Sequence, residues 1–193
     1  MLLTPTRLPD VTLSAPDSPA TQQLWLAQGA GQSRVYLPDE MDIDDPAFSP
    51  DGRMITVLYA EKDGHEAIWG TPVDGGGPRK LAEVKGAHVL NYAWGPDSRS
   101  IYMIVEAAPD AEQKARVDAG FKAVVFEEEY RLNRLFVARV GDSLDKNPRE
   151  IQVPGQVTGI RVLPDGRTAV IEAAPAPSVG DSYTRKKVAL LDL

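Results

Sequence analysis

The sequence predicts an all-β fold made of β-propeller blades, each a sheet of four antiparallel strands. Three observations predict it. A proline–aspartate turn motif recurs along the 193 residues, a β-rich run follows each copy, and glycine and proline separate the apolar runs. The copies are AFSPDGRMITVLYA from Ala47, AWGPDSRSIYMIVEA from Ala93 and VLPDGRTAVIEAA from Val162.

The spacing and the chemistry of the motif favour a blade repeat. The prolines at 50, 96 and 164 are 46 and 68 residues apart, and the first interval is close to the length of a propeller blade. In the first copy, Pro50 presets φ for a type I turn, and Gly52 can adopt the left-handed conformation that leads into an antiparallel strand. Ser98 replaces this glycine in the second copy, so we expect a strained or differently shaped turn there.

The repeat divides the chain into an incomplete propeller of three to four blades. A partial first blade covers residues 8–40, and the following ones cover 41–84, 85–154 and, truncated, 155–193. Residues 175–186 are expected to form a loop before the last strand. The predicted core strands are 54–60, 66–73, 101–107, 134–140, 168–174 and 187–192.

An insertion at residues 109–131 lengthens the third predicted blade. Its stretch AEQKARVDA predicts a short helical insertion near 109–119, closed by Gly120. The stretch FKAVVF that follows predicts an additional strand or an extension of the next one. Long insertions in a repeat usually project from one face and often serve binding.

Composition argues against several function classes. The net charge of -7 repels phosphate, so we predict no binding to nucleic acid. The absence of cysteine removes disulfides and thiolate chemistry, and two isolated histidines, His65 and His88, give no metal-ligand spacing. We therefore predict no cofactor and no metal. No apolar run is long enough to cross a membrane, so we predict no membrane contact. The first twenty residues do not resemble a signal peptide, which makes the cytoplasm the default location, although a removed signal peptide would leave no trace.

Several of these stretches resemble the propeller domain of the prolyl oligopeptidase family of serine peptidases. Its acylaminoacyl-peptidase and dipeptidyl-peptidase-like branches are the most similar. The similarity rests on the first turn motif, on its WGPDS variant, and on three further stretches of the chain. These are GGGPRKL between two short strands, FEEEYRLNRLFVARV before an outer strand, and APAPSVGDSY before KKVALLDL.

The resemblance implies a catalytic partner. In that family an α/β-hydrolase domain carries a Ser-Asp-His triad, and the propeller limits the size of the substrates that reach it. This sequence contains no Gly-x-Ser-x-Gly elbow, so we expect the chain alone to be non-catalytic and to hold no catalytic residue. We expect a fragment whose partners are the hydrolase domain, the remaining propeller blades and a peptide substrate. Because an open array of blades exposes edges that a closed ring protects, we also expect oligomers.

A cluster of charges next to the predicted strand 134–140 is the candidate substrate-contact site. It consists of Glu127, Glu128, Glu129, Arg131 and Arg134. The resemblance suggests a role, because dipeptidyl peptidases of this family hold the free amino terminus of the substrate with a glutamate pair, whereas arginine would hold a carboxylate. That pair precedes a proline–aspartate turn, however, and this triplet follows one. The alternative is that these charges lie on a strand edge and block unwanted pairing.

Two other functions are compatible with the sequence. The first is an interaction scaffold of the TolB type without an enzymatic partner, since TolB-type propellers share the turn motif. The second is an esterase that uses Ser143, because Gly141-Asp142-Ser143-Leu144 matches a lipase motif. Both histidines lie upstream of this serine, in the wrong order for that family. A polar turn is therefore the favoured interpretation of the motif.

Overall fold

The structure is a computed structural model that describes residues 2–3, 6–7, 21–22, 24–27, 33–37, 43–61, 65–106, 115, 119–120 and 131–193. The chain forms two compact units, Met1–Leu81 and Ala82–Leu193. The two four-stranded sheets and the three-stranded sheet at the end of the chain are antiparallel, and in each of them neighbouring strands follow one another in sequence order. This order is that of a propeller blade, so the predicted all-β fold of blade-type sheets is confirmed.

The strands of the first unit are β1 Leu2–Leu3, β2 Thr6–Arg7, β3 Thr21–Gln22, β4 Trp25–Ala27, β5 Ser33–Val35, β6 Ile43–Phe48, β7 Met54–Ala60, β8 Glu66–Pro72 and β9 Arg79–Ala82. Strands β6 to β9 form the first blade sheet, and β9 ends one residue beyond the unit. A three-stranded sheet has the order β1-β4-β5, and β2 pairs with β3. Apolar side chains of the β4–β5 region pack on those of β6 and β7. The buried residues of this cluster are Leu24, Leu26, Leu37, Ile43, Ile55 and Val57.

The elements of the second unit are β10 His88–Trp94, β11 Ser100–Glu106, β12 Asn133–Arg139, β13 Arg149–Ile151, β14 Gln156–Val162, β15 Thr168–Ala174, the helix α1 Val179–Thr184 and β16 Lys187–Asp192. Strands β10 to β13 form the second blade sheet, and β14 to β16 form the third. These two sheets bury one apolar cluster between them. Its buried residues are Tyr102, Ile104, Leu135, Ile151, Val153, Val157, Ala169 and Ile171.

The six strands predicted from the sequence all occur. β7, β15 and β16 have the predicted bounds, β8 ends one residue earlier than predicted, and β11 and β12 each begin and end one residue earlier. The prediction of a core strand at 187–192 is nevertheless wrong, because five of the six residues of β16 are exposed. β16 is the edge strand of a three-stranded sheet, so among the described elements only β15 pairs with it. The predicted blade boundaries are not decided by these sheets and stay predictions.

A helix, α1, occupies part of the segment 175–186 that was predicted to be a loop. The hydroxyl of Ser178 caps it by accepting a hydrogen bond from the backbone N–H of Asp181 at 3.0 Å. The helix predicted near 109–119 lies mostly outside the described residues. Of the described residues in this segment, Ala119 donates its N–H to the carbonyl of Ala115 at 3.0 Å. Gly120, which follows, has a φ of 88°.

The three proline–aspartate turns share one backbone geometry. In each, the residue two positions after the proline donates its N–H to the carbonyl of the residue before the proline, at 2.9, 3.1 and 3.0 Å in chain order. The donors are Gly52, Ser98 and Gly166, and their φ values are 71°, 54° and 67°. The turn at Ser98 therefore has the same shape as the others. Its serine is held in a left-handed conformation that costs an L-residue about 1–2 kcal/mol.

The aspartates of these turns, Asp51, Asp97 and Asp165, each accept the backbone N–H of the residue two positions on, at 3.1, 3.0 and 3.0 Å. Each also accepts a side-chain hydroxyl. In the first copy that hydroxyl belongs to Ser49, before the turn, at 2.6 Å. In the second and third copies it belongs to a residue after the turn. These residues are Ser100, at 2.7 Å, and Thr168, at 2.9 Å.

Gly52 provides a test of the left-handed turn position. Substitution of Gly52 by alanine should lower the free energy of unfolding by about 1 kcal/mol, since none of the described residues would contact an added Cβ within 4 Å and the positive φ opposes it. Chemical denaturation of the chain measures this change. The control is Gly77→Ala, where an added Cβ likewise meets no atom of the described part of the chain within 4 Å but no left-handed φ occurs. Equal effects of the two substitutions would contradict the backbone explanation.

Candidate functional site

The two ends of the second blade sheet carry different polar groups. β11 and β12 pair along their whole length, from Ser100 opposite Arg139 to Glu106 opposite Asn133. The Ser100 end carries the turn before β11 and the loop between β12 and β13. The Glu106 end carries the insertion that separates β11 from β12. Of the charges predicted to contact substrate, the described ones, Arg131 and Arg134, lie at or near the Glu106 end.

Arg131 and Arg134 of the predicted cluster are paired with glutamates that the sequence did not single out. Nη1 of Arg131 lies 3.1 Å from Oε2 of Glu106, at the end of β11. Nε of Arg134 lies 4.0 Å from Oε1 of Glu150 on β13. Glu127, Glu128 and Glu129 lie outside the described residues, so substrate contact by the cluster stays a prediction.

The ion pair of Arg131 is partly exposed, because the two side chains keep 38% and 32% of their accessible surface. Pairs of this kind typically contribute less than about 1 kcal/mol, since water screens them and ordering the side chains costs entropy. A ligand carboxylate can therefore compete with Glu106 for this guanidinium at small cost. The ion pair thus positions Arg131 next to Glu106 but binds it only weakly.

A polar cavity of about 380 Å³ lies at the opposite end of the second blade sheet, next to the third. The β10–β11 turn, β11, β12, the loop after β12 and β13 all contribute to its wall, as does the turn between β14 and β15. The polar side chains that line it are Asp97, Ser100, Tyr102, Arg139, Asp145, Asn147 and Arg149.

Asp97 organises one wall of this cavity. Its carboxylate lies 3.1 Å from Nη1 of Arg139, and the same Nη1 donates to the hydroxyl of Ser100 at 2.9 Å. Partial burial opposes the charged form of Asp97. The hydrogen bonds from the N–H of Arg99 and from the hydroxyl and N–H of Ser100, together with the charge of Arg139, outweigh that effect. They hold the pKa of Asp97 below its ordinary value of 3.8.

Tyr102 contributes a phenol to the cavity from within the apolar cluster. Its side chain is only 8% exposed. Burial raises the pKa of Tyr102 above 10.0, and the charge of Asp97 raises it further, while Arg139 and Arg149 act in the opposite direction. The hydroxyl therefore stays protonated at neutral pH and can donate a hydrogen bond. No pattern in the sequence links Tyr102 to Asn147 and Arg149, because strand pairing and a loop bring them together.

The other sequence motifs lie in places that suit structural roles. Ser143 lies in an exposed bend between β12 and β13, which fits the polar turn interpretation of the lipase-like motif. His88 begins β10 and is half-buried, and His65 precedes β8. Among the residues that the structure describes, no three His, Asp or Glu side chains form a group that could hold a metal ion.

The part of the chain that the structure describes includes no helix with the length and apolar character needed to span a membrane.

Solved structures share this fold. The acylaminoacyl peptidase of Pyrococcus horikoshii matches 100% of the chain with a TM-score of 0.63 and 14% identity, and the match covers 29% of that protein's chain. An acylaminoacyl peptidase in complex with Z-Gly-Gly-Phe-chloromethyl ketone matches 90% of the chain with a TM-score of 0.60 and 14% identity, over 27% of its own length. The tricorn protease matches 90% with a TM-score of 0.56 and 15% identity, over 20% of its length.

The structural likeness defines a class of fold rather than an activity. At these sequence identities it shows that the sheets have the fold of the corresponding parts of acylaminoacyl peptidase and tricorn protease. No protein-family model matches the chain, and no curated protein sequence matches it. The chain spans about three tenths of the length of the first of these solved structures.

Proposed function

We propose that the chain is the propeller part of a serine peptidase and controls which short peptides reach an α/β-hydrolase domain. The observation that carries the proposal is the likeness of the whole chain to an acylaminoacyl peptidase, at a TM-score of 0.63. The sequence supports it independently, through the turn motif and the tract from 126 to 140 that resemble the prolyl oligopeptidase family. The catalytic triad would belong to the hydrolase domain, and the propeller would act by size selection.

The insertion end of the second blade sheet is the proposed place of contact between propeller and peptide. Arg131 can exchange Glu106 for a peptide carboxylate at small cost, because their ion pair is partly exposed. The triplet Glu127, Glu128 and Glu129 belongs to the same segment of sequence and would suit a free amino terminus. A peptide held at this end would be selected by its charged termini.

A fluorophosphonate probe, which labels activated serines, tests the proposed enzyme class. The protein encoded by the whole reading frame should be labelled and should cleave an acetylated peptide, with rates that fall as the peptide is lengthened. Residues 1–193 alone should remain unlabelled, because they contain no serine elbow. A whole protein that is neither labelled nor active would favour the alternative, an interaction scaffold of the TolB type. Labelling of Ser143 in the isolated chain would instead support the esterase.

Arg131 provides a test of peptide contact in the whole enzyme. Arg131→Gln should raise KM for a short peptide with a free carboxyl terminus about fivefold to tenfold and leave kcat unchanged, because a charge-assisted hydrogen bond to the bound peptide is lost. Steady-state kinetics with the free acid and with the matching peptide amide measure this. The amide should show no change, since it carries no carboxylate.

Arg185 is the matched control for this substitution. It pairs with Asp181 at 3.4 Å, is 69% exposed and lies between α1 and β16. Arg185→Gln should leave KM unchanged for both peptides. If Arg131→Gln also leaves KM unchanged, the arginine serves only the strand edge, and the second interpretation of the charged cluster holds.

A further inference from the structure

The polar cavity between the second and third blade sheets holds more donors than its own acceptors use. Arg139 is committed, since its guanidinium contacts Asp97 and the Ser100 hydroxyl. The carboxylate of Asp145 is also committed, because Oδ2 accepts the N–H of Arg139 at 2.9 Å and Oδ1 accepts that of Asn147 at 3.0 Å. The two carboxylates of the cavity are therefore satisfied by one arginine, a serine and backbone amides.

Tyr102 brings a donor into this cavity that has no partner among the described residues. The side chain is more than nine tenths buried, yet it lines the cavity. Within the described part of the chain, no enclosed side-chain nitrogen or oxygen is left without a hydrogen bond. Since the hydroxyl of Tyr102 makes no such bond to those residues, it must reach the open space of the cavity. The ring of Tyr102 is therefore buried, while its hydroxyl is open to water or to a ligand that enters the cavity.

Arg149 supplies a positive charge beside this hydroxyl. It lies at the start of β13, lines the same cavity and is close enough to Tyr102 to influence its pKa. Unlike Arg139, it forms no ion pair with any residue that the structure describes. The side-chain amide of Asn147 lies on the same wall and makes no hydrogen bond within that set. A guanidinium, a phenol and an amide thus line one space, and none of these three side-chain groups makes a hydrogen bond to a residue that the structure describes.

We infer that this cavity is a binding site for a small carboxylate. The two oxygens of a carboxylate match the paired N–H groups of Arg149, and one of them can also accept from the hydroxyl of Tyr102. Arg139 is paired with Asp97, and the carboxylate of Asp145 accepts backbone N–H groups, so Arg149 is the cation of this cavity that is left to meet a ligand. A phosphate dianion would bring a second charge next to Asp97 and Asp145 and is disfavoured. A volume of about 380 Å³ suits a molecule at the small end of the usual ligand range.

The carboxylate has two possible sources, a free small acid or the carboxyl terminus of a peptide. Both present the same group to Arg149, and they differ in the size of the molecule attached to it. The inference does not depend on the proposed function, because the cavity lies at the opposite end of the second blade sheet from the insertion. The inference rests only on side chains of the second unit that the structure describes.

Titration of the whole 193-residue chain, observed by backbone amide NMR, tests the inference. The probes are acetate, the free acid of N-acetyl-dialanine and the corresponding dialanine amide. We expect acetate or the dialanine acid to shift the amides around Arg149, Asn147 and Tyr102, and the dialanine amide to leave them unchanged. Shifts with acetate indicate a site for free acids in general, and shifts with the dialanine acid alone indicate a peptide terminus. Either result supports the site.

Two substitutions identify the groups that bind. Arg149→Gln should weaken the carboxylate about tenfold or more, and Tyr102→Phe, which keeps the ring in the core, about threefold to tenfold. Arg161→Gln is the control, since Arg161 is an exposed arginine of β14 that does not line the cavity. The inference is overturned if neither acid shifts these amides, if the amide peptide binds equally well, or if Arg149→Gln binds with unchanged affinity while its circular dichroism shows it folded.

Discussion

Replacement of Leu135 by alanine should lower the free energy of unfolding of the chain by about 3 kcal/mol. Leu135 is 1% exposed on β12 and belongs to the apolar cluster between the second and third blade sheets. Truncation removes buried methyl groups and leaves a cavity that rigid paired strands cannot easily close. Because domains are stable by only about 5–15 kcal/mol, this loss should visibly shift the midpoint of urea denaturation.

Leu190 on β16 is the matched control for this substitution. It is 73% exposed, so Leu190→Ala removes the same atoms from a position that is already in contact with water. Its effect should stay within about 0.5 kcal/mol. If both substitutions cost the same, the cluster between the two sheets is not the core of the second unit. A large effect at Leu190 alone would mean that something covers the outer strand in solution.

Substitution of Asp97 by alanine should destabilise the second unit by about 2 kcal/mol, the largest effect we expect from a polar residue. Ser100 is 4% exposed, and its hydroxyl and N–H both donate to the carboxylate of Asp97. Alanine would leave these donors without their acceptor, which costs about 1–3 kcal/mol. Thermal unfolding followed by circular dichroism measures the loss.

Asp97→Asn is the conservative variant for this prediction, and Asp142→Ala is its control. Asparagine keeps an amide oxygen that can accept from the backbone, so it should recover about half of the loss while giving up the ion pair with Arg139. Asp142 lies in an exposed bend, and its removal should change the free energy of unfolding by less than about 0.5 kcal/mol. Equal stability of the alanine variants at 97 and 142 would contradict a structural role for the turn carboxylate.

The pH dependence of the free energy of unfolding follows from the direction in which the pKa of Asp97 is shifted. The pKa of Asp97 is lower in the folded protein than its ordinary value of 3.8. The ionised carboxylate therefore stabilises the fold above that value, and this stabilisation is lost as the pH falls through the folded pKa. Asp97→Ala should accordingly lose less stability than the wild-type chain between neutral pH and strong acid. The same denaturation series at several pH values provides the measurement.

The strands could be predicted from the sequence because local chemistry marks where they begin. Pro50 and Pro164 open turns whose geometry places the next strand two residues after the glycine, and β7 and β15 have the predicted bounds for this reason. β16 was predicted equally well as a strand and wrongly as core. Burial depends on whether another strand or sheet covers a strand, and the residues of KVALLD do not record that.

The polar cavity could not be predicted because its members have no common pattern in the sequence. Asp97 was recognised as a turn residue, but its ion pair with Arg139 depends on the antiparallel register that places Ser100 opposite Arg139. Tyr102 occurs in a run that reads as apolar strand. For the charged cluster, the sequence identified Arg131 and Arg134 as candidates but not their partners, Glu106 and Glu150, which come from neighbouring strands.

The hydroxyl that each turn aspartate accepts has a consequence for how such chains diverge. Ser49 supplies it from before the first turn, whereas Ser100 and Thr168 supply it from after the other two. A hydroxyl at either position satisfies the same carboxylate. Once one position carries a serine or threonine, the other can therefore be substituted by a residue without a hydroxyl. Relatives of this chain can thus keep the aspartate–hydroxyl hydrogen bond of every turn while their sequence identity falls. We expect the two positions to covary.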